Sequence, residues 1–416
     1  MIKNLAFLTN NKISHFIFAT LLTILPLSFM LGSLIINSTV VIICILFIYL
    51  IFKNKNLNFL KNEFLIILII FWLSLIINLF FSTAPENGFG RVLGFVRFII
   101  LILAIKYFFD FKNNIHFNFI FTSWVLIFLI ICFDLIFEFV FGFNTLGFKS
   151  YMPGRLSGFL NQELKIGHFF SAFFLICCAY IYKVKPQNML LYILLFSCLV
   201  ISLLIGERSN FIRVFLMVIF FIIFFEKKNF IKKILLIFSI FLISLSVIFF
   251  NPNYNIRFYG QFIKPIINSE NITQIINNTM YGANYDRAFK IFEKNKYFGV
   301  GIKNFRNESN KEIYKNKNLK FNEQAATTHP HQIHLEFLSE TGLFGYLIFF
   351  GSMLYCFFIF IKKYFINRNL ISLSAFLYIV FSLVPIIPSG SFFTTFGASL
   401  FWINFAIMVS FFDKKN

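Results

Sequence analysis

Apolar runs recur from one end of this chain to the other, near 14–36, 39–52, 63–81, 92–109, 118–141, 168–182, 189–205, 211–225, 233–250, 341–361, 369–388 and 393–412. Most are long enough to cross a hydrocarbon core of ~30 Å as a helix, where every backbone polar group is satisfied within the segment. With 59% hydrophobic and only 13% charged residues over 416 positions, the chain is too apolar for a soluble globule. The expected fold is all-α, a polytopic transmembrane helix bundle of about 12 spans. The first run follows Lys3 and Lys12 as a secretory signal would. No small-x-small cleavage site follows and a second run starts at once, so a first transmembrane helix is expected instead.

The net charge of +20 raises nucleic acid as a partner, but most Lys and Arg flank the apolar runs, as the positive-inside rule requires. Starting inside, alternate loops read "FKNKNLNFLKN", "DFKNN", "YKVKPQN", "EKKNFIKK", "KKYFINRN" and the tail "DKKN". These basic loops place both termini in the cytoplasm. The chain then divides into spans 1–9 over 1–250, a long outward loop over 251–340, and spans 10–12 over 341–416. The 68 Phe accompany abundant Ile, Lys and Asn, a pattern of AT-rich coding rather than of a binding surface. All six Cys fall inside apolar runs without zinc spacing, and are expected to be core residues.

The 251–340 loop is itself rich in Lys and Arg. Long loops cross regardless of charge, so its cations suit either an anionic ligand or a solvated face. The arginines are more specific. Arg208 sits in a tight turn, "IGERSNFIRVF", and Arg287 in a short amphipathic helix, "YDRAFKIFEKNKYFGVGIKNF". A guanidinium fork matches two phosphate oxygens, so phosphate binding is preferred for this pair over a structural role. Arg97, Asp134 and Glu138 read instead as a buried ion network, the two carboxylates lying four apart on one helix face.

Three of the six histidines fall within "HPHQIHLEFLSETGLFG", residues 329–345. Thr328 and Pro330 suit a helix start. On a continuous helix His331, Leu335, Leu338, Gly342, Gly345 and Phe349 form one stripe, with His331 about 16 Å above Gly342. The two glycines would leave a groove for a helix or lipid chain. A metal site from His329, His331 and His334 lacks a companion Cys or Asp, and interfacial histidines without a role are a second alternative. A catalytic or binding imidazole at the membrane surface is preferred.

"HQIHLEFLSETGLFG" also resembles the H-[NSQ]-x9-G-x-x-[GTY] pattern of the O-antigen ligase family, through His331, Gln332, Gly342 and Gly345. "YFGVGIKNF", the Arg208 and Arg287 positions, and "GRLSGFLNQELKIG" around Arg155 extend the resemblance over about 145–350. At Arg208 the chain differs, with "GERSN" in place of a small-residue-Ser-Arg-Gly turn. The resemblance implies an inner-membrane, metal-independent, inverting glycosyltransferase needing no cofactor. Its donor would be a polyprenyl diphosphate-linked glycan and its acceptor a hydroxyl of lipid A-core or a similar glycolipid, met at the periplasmic face. In that reading Arg208 and Arg287 hold the diphosphate and His331 is the general base. Arg155 and Gln332 bind or orient substrate, and the Gly342–Gly345 groove takes prenyl chain. An O-antigen polymerase of the same superfamily is the near alternative. A non-enzymatic lipid-glycan transporter is the distant one, and it lacks the internal repeats expected of such folds.

Overall fold

The computed structural model describes residues 2–54, 63–110, 114–226, 252–385 and 387–411, with isolated positions between 227 and 251. Among these, six helices are long and apolar enough to cross a membrane, and five shorter apolar helices accompany them. Each expected run apart from the ninth corresponds to one of these helices. The ninth run, 233–250, and the basic segments 55–62, 111–113, 227–230 and 413–416 lie largely outside the described residues.

The membrane helices are α1 (Ile2–Leu31), α2 (Ser33–Asn54), α3 (Glu63–Phe80), α4 (Pro85–Gly94), α5 (Val96–Asp110), α6 (Asn114–Phe141), α7 (Ile166–Val184), α8 (Asn188–Leu204) and α9 (Arg208–Phe225). After a segment of short helices that includes α10 (Met280–Lys294), the bundle closes with α11 (Ile333–Asn367), α12 (Leu370–Ser382) and α13 (Thr395–Ser410). α6 is apolar on both faces: Phe121, Trp124, Phe128, Ile131 and Leu135 are buried, while Leu126, Leu129, Ile130, Phe133 and Val140 are exposed. An exposed apolar stripe at helical spacing is a lipid-facing surface. α13 is buried all round and packs on α5, α7 and α12. Its Trp402 is fully buried among Phe71, Phe95, Phe349 and Phe401.

Asp134 and Glu138 lie on one face of α6, as their spacing requires, but Arg97 is not their partner. Arg97 lies over the Phe98 ring, 4.6 Å from its centre. Asp134 accepts from the Thr145 N–H at 2.9 Å, and Glu138 from the Gly158 N–H at 2.7 Å and the Ser157 N–H at 3.1 Å. The expected ion network is therefore a pair of carboxylates organising the loop that carries Arg155. Buried carboxylates are compensated here by backbone N–H groups instead of by a cation.

The expected continuous stripe from His331 to Phe349 is also broken. α11 begins at Ile333, capped by Gln332 rather than Thr328, and Gly342 leaves helical geometry at φ 63, ψ −170. The turn at 296–301 fills the break. Val300 and Gly301 donate to the Ser339 and Glu340 carbonyls at 2.9 Å each, and Leu343 and Phe344 donate to the Lys296 and Tyr297 carbonyls at 2.8 and 3.0 Å. Asn78 of α3 adds a bond to the Glu340 carbonyl at 3.1 Å. A Cβ on Gly342 would run into the Tyr297 carbonyl, which is why this position is glycine. The space beside Gly345 is taken by the Thr341 side chain. The anticipated groove for a prenyl chain is thus occupied by the chain's own "YFGVG" turn.

Candidate active site

The Arg208 turn is shaped by Gly206. Gly206 supplies a positive φ of 74, and a Cβ there would strike the Gly154 carbonyl. That close approach brings the Arg155 loop onto the turn, with Leu156 donating to the Ile205 carbonyl at 3.0 Å. Arg155 then pairs with Glu207 at 2.9 Å and donates to the Leu164 carbonyl, also at 2.9 Å. Glu207 is buried, which raises its pKa, while Arg155 and Asn210 pull the other way.

Arg208 opens α9 and donates to the Arg257 carbonyl at 3.1 Å. Burial pushes Arg257 down to about 10, and the charges of Arg155 and Arg208 add to the shift. Three guanidiniums therefore share one neighbourhood with Glu207 as a buried counter-charge. The Nε atoms of Arg155 and Arg257 are buried without a hydrogen-bond partner. Arg155 also lines a cavity of about 370 Å³ with Tyr254 and Gly154. Such a group suits an anion with several oxygens.

Tyr281, at the start of α10, lies within electrostatic reach of Arg208. Its ring centre is 6.1 Å from that of His331. His331 stands before α11 in a left-handed conformation, φ 58, and its carbonyl accepts from Ser389 at 2.9 Å. Burial lowers its pKa, which keeps the imidazole neutral near pH 7 and able to accept a proton. The His329 ring is 4.1 Å from it, and burial, His331 and Lys303 bring His329 down to about 3. His334 turns away: its nitrogens face the Tyr346 hydroxyl at 3.0 Å and the Leu383 carbonyl at 2.7 Å, and its ring stacks on Phe350. Among the described residues no group of three or more His, Cys, Asp or Glu is placed to hold a metal.

Arg287 does not join this group through its side chain. It is 1% exposed, and its fork donates to the Ser309 carbonyl and to the carbonyl and side-chain oxygen of Asn322, each at 2.6 Å. Gln332 spends its amide within the protein too, accepting from Leu335 at 2.6 Å and donating to the Pro385 carbonyl at 2.5 Å. Both side chains are satisfied by the protein's own groups.

Sequence reasoning counted Arg257 only among the loop cations and passed over Glu207 and Tyr281. The signal for Glu207 was adjacency to Arg208. For Arg257 it was its place just after an apolar run, as at Arg208.

No curated protein matches the chain. Residues 192–350 match the family model described as O-Antigen ligase. The match includes Arg208, Arg257, Arg287 and His331 and leaves Arg155 before its start. Over that stretch, through the Gly342 break in α11, the chain is similar to the O-antigen ligase family.

Proposed function

We propose that this protein transfers a glycan from a polyprenyl diphosphate carrier to a hydroxyl of a lipid A-core-like glycolipid. Transfer takes place at the periplasmic face of the inner membrane. The observation that carries the reading is a neutral His331 beside Tyr281, which in turn lies within electrostatic reach of Arg208, the companion of Arg155 and Arg257.

In the reaction, His331 takes the proton of the acceptor hydroxyl as its oxygen attacks the anomeric carbon. The bond from that carbon to the diphosphate oxygen breaks on the opposite side, which inverts the configuration. The departing diphosphate gains one negative charge, and the arginine group neutralises it. Arg287 acts at one remove by tying α10 to the 309–322 segment. No step requires a metal ion.

Deleting the gene and examining both glycolipid pools tests the assignment. Loss of the ligase leaves polymerised glycan on the polyprenyl carrier and a bare acceptor. An acceptor bearing single repeat units would make the protein a polymerase instead. Restoring the gene as His331→Ala should reproduce the deletion, because losing a general base costs about 10²–10⁴ in rate.

A further inference from the structure

A cavity of about 290 Å³ lies beside His329, and Arg213 on its wall is linked through Asn210 and Glu207 to Arg155 of the arginine group. Four cations line it: Lys165 before α7, Arg213 of α9, and Lys303 and Arg306 of the loop after α10. Glu336 and Glu340 both lie within electrostatic reach of Lys303, and Oε2 of Glu340 is buried without a hydrogen bond among the described residues; the other carboxylates nearby are engaged. Glu336 accepts from Ser391 at 2.5 Å and from the Phe392 N–H at 2.8 Å, Glu163 pairs with Lys165 at 3.0 Å, and Glu207 bonds Asn210. Arg213 donates from its two terminal nitrogens to Asn210 at 2.9 Å and to the Pro388 carbonyl at 2.7 Å.

Three polar atoms of the lining residues have no partner. They are Nε of Arg213 (4% exposed), Nε2 of His329 and Oγ of Ser389, all buried and without a hydrogen bond among the described residues. Buried polar groups are ordinarily satisfied, and all three of these are able to donate. His329 is held neutral by burial, with Nδ1 3.0 Å from the Thr328 hydroxyl, so in the tautomer that accepts from Thr328 its Nε2 carries the proton. Lys303 stands in a left-handed backbone, φ 68, with Nζ 3.0 Å from Ser391 on the cavity wall. Strain of this kind in a non-glycine residue persists where the surroundings hold it in place.

Arg306 and Thr328 line this cavity and also the open cleft that contains His331. The two spaces are therefore neighbours with a shared wall.

We propose that the cavity is a second anion subsite, separate from the diphosphate site, and that it holds a phosphate monoester on a sugar of the acceptor. The acceptor sits with its phosphate among Lys303, Arg213 and Lys165 and its reactive hydroxyl in the cleft at His331. Phe392, Phe396 and Phe401 supply an apolar wall for the sugar ring. The assignment to the acceptor rests on the transfer reaction proposed above, whereas the existence of the subsite does not.

The test titrates the purified full-length protein in detergent with glucose 6-phosphate, glucose and inorganic pyrophosphate, following phosphorus resonances and heats of binding. Lys303→Gln and Lys165→Gln should each weaken glucose 6-phosphate about tenfold, the loss of one charge-assisted hydrogen bond, and leave pyrophosphate within about twofold. Arg208→Gln should do the reverse, and saturating pyrophosphate should not displace the sugar phosphate. Mutual displacement at a single site, equal binding of glucose and its phosphate, or indifference to both lysine variants would overturn the subsite. In reconstituted transfer, Lys303→Gln should raise KM for a phosphorylated acceptor and not for the same acceptor after phosphatase treatment. Two-site binding with no transfer by the wild type would retain the subsite and remove the acceptor role.

Discussion

The imidazole of His331 hangs from a left-handed backbone, a conformation that costs a non-glycine residue about 1–3 kcal/mol. The Ser389 N–H holds its carbonyl, and Tyr281 and His329 flank its ring. Burial lowers the pKa below the ordinary 6.5, so the base form persists as pH falls through that value. The transfer rate should therefore fall to half its plateau only below pH 6.5. A profile already halved at pH 6.5 would mean a solvated imidazole instead. Arg287 calls for a different readout. Its lysine variant keeps the charge but cannot reach three carbonyl-type oxygens at once. Arg287→Lys should lower the unfolding temperature in detergent, at a cost of about 2 kcal/mol or more. An unchanged melting temperature with abolished transfer would return Arg287 to direct diphosphate binding.

α11 illustrates how one residue governs an element. Between its two pieces, 333–341 and 343–367, Gly342 adopts angles that only glycine tolerates, and the 296–301 turn supplies the missing hydrogen bonds. The break keeps the histidine-bearing end of the helix tied to the loop that carries Lys303. Gly342→Ala meets both backbone strain and the Tyr297 carbonyl, together about 2–6 kcal/mol. Its folded yield in membranes should fall sharply. Gly351, on the same helix, faces open space, and Gly351→Ala should match the wild type or slightly exceed it, as alanine is the better helix former. Similar yields for both variants would show that the break is not needed.

For the molecule as a whole, the open question is its orientation in the membrane. The six native cysteines are buried, which leaves a quiet background for single cysteine probes. A probe at exposed Glu323 in the 251–340 segment should react with an impermeant maleimide in intact cells. Probes at exposed Lys185 and Lys362 should react only after permeabilisation. The reverse pattern would turn the proposed site to the cytoplasm. The charge pattern carries this prediction, since Lys185 after α7 and Lys362 near the end of α11 sit far along their helices from the histidine turn.

What the sequence by itself determined was the set of membrane helices. Apolar transfer energy and helical rise are local, nearly additive quantities, so runs such as 118–141 and 168–182 could be read directly and returned as α6 and α7. The clustered histidines and the Arg208 turn were legible for the same reason, as short patterns with chemical meaning. The tertiary structure alone decided which guanidiniums share a site. Arg287 is satisfied by carbonyls 22 and 35 residues away, while Arg155, Arg208 and Arg257 converge from three segments around Glu207. It alone closed the Gly342 groove, because the turn that fills it comes from more than forty positions earlier. Hydrogen bonds and close backbone approaches between distant segments leave no periodic trace in a sequence, and they set where each charge comes to rest.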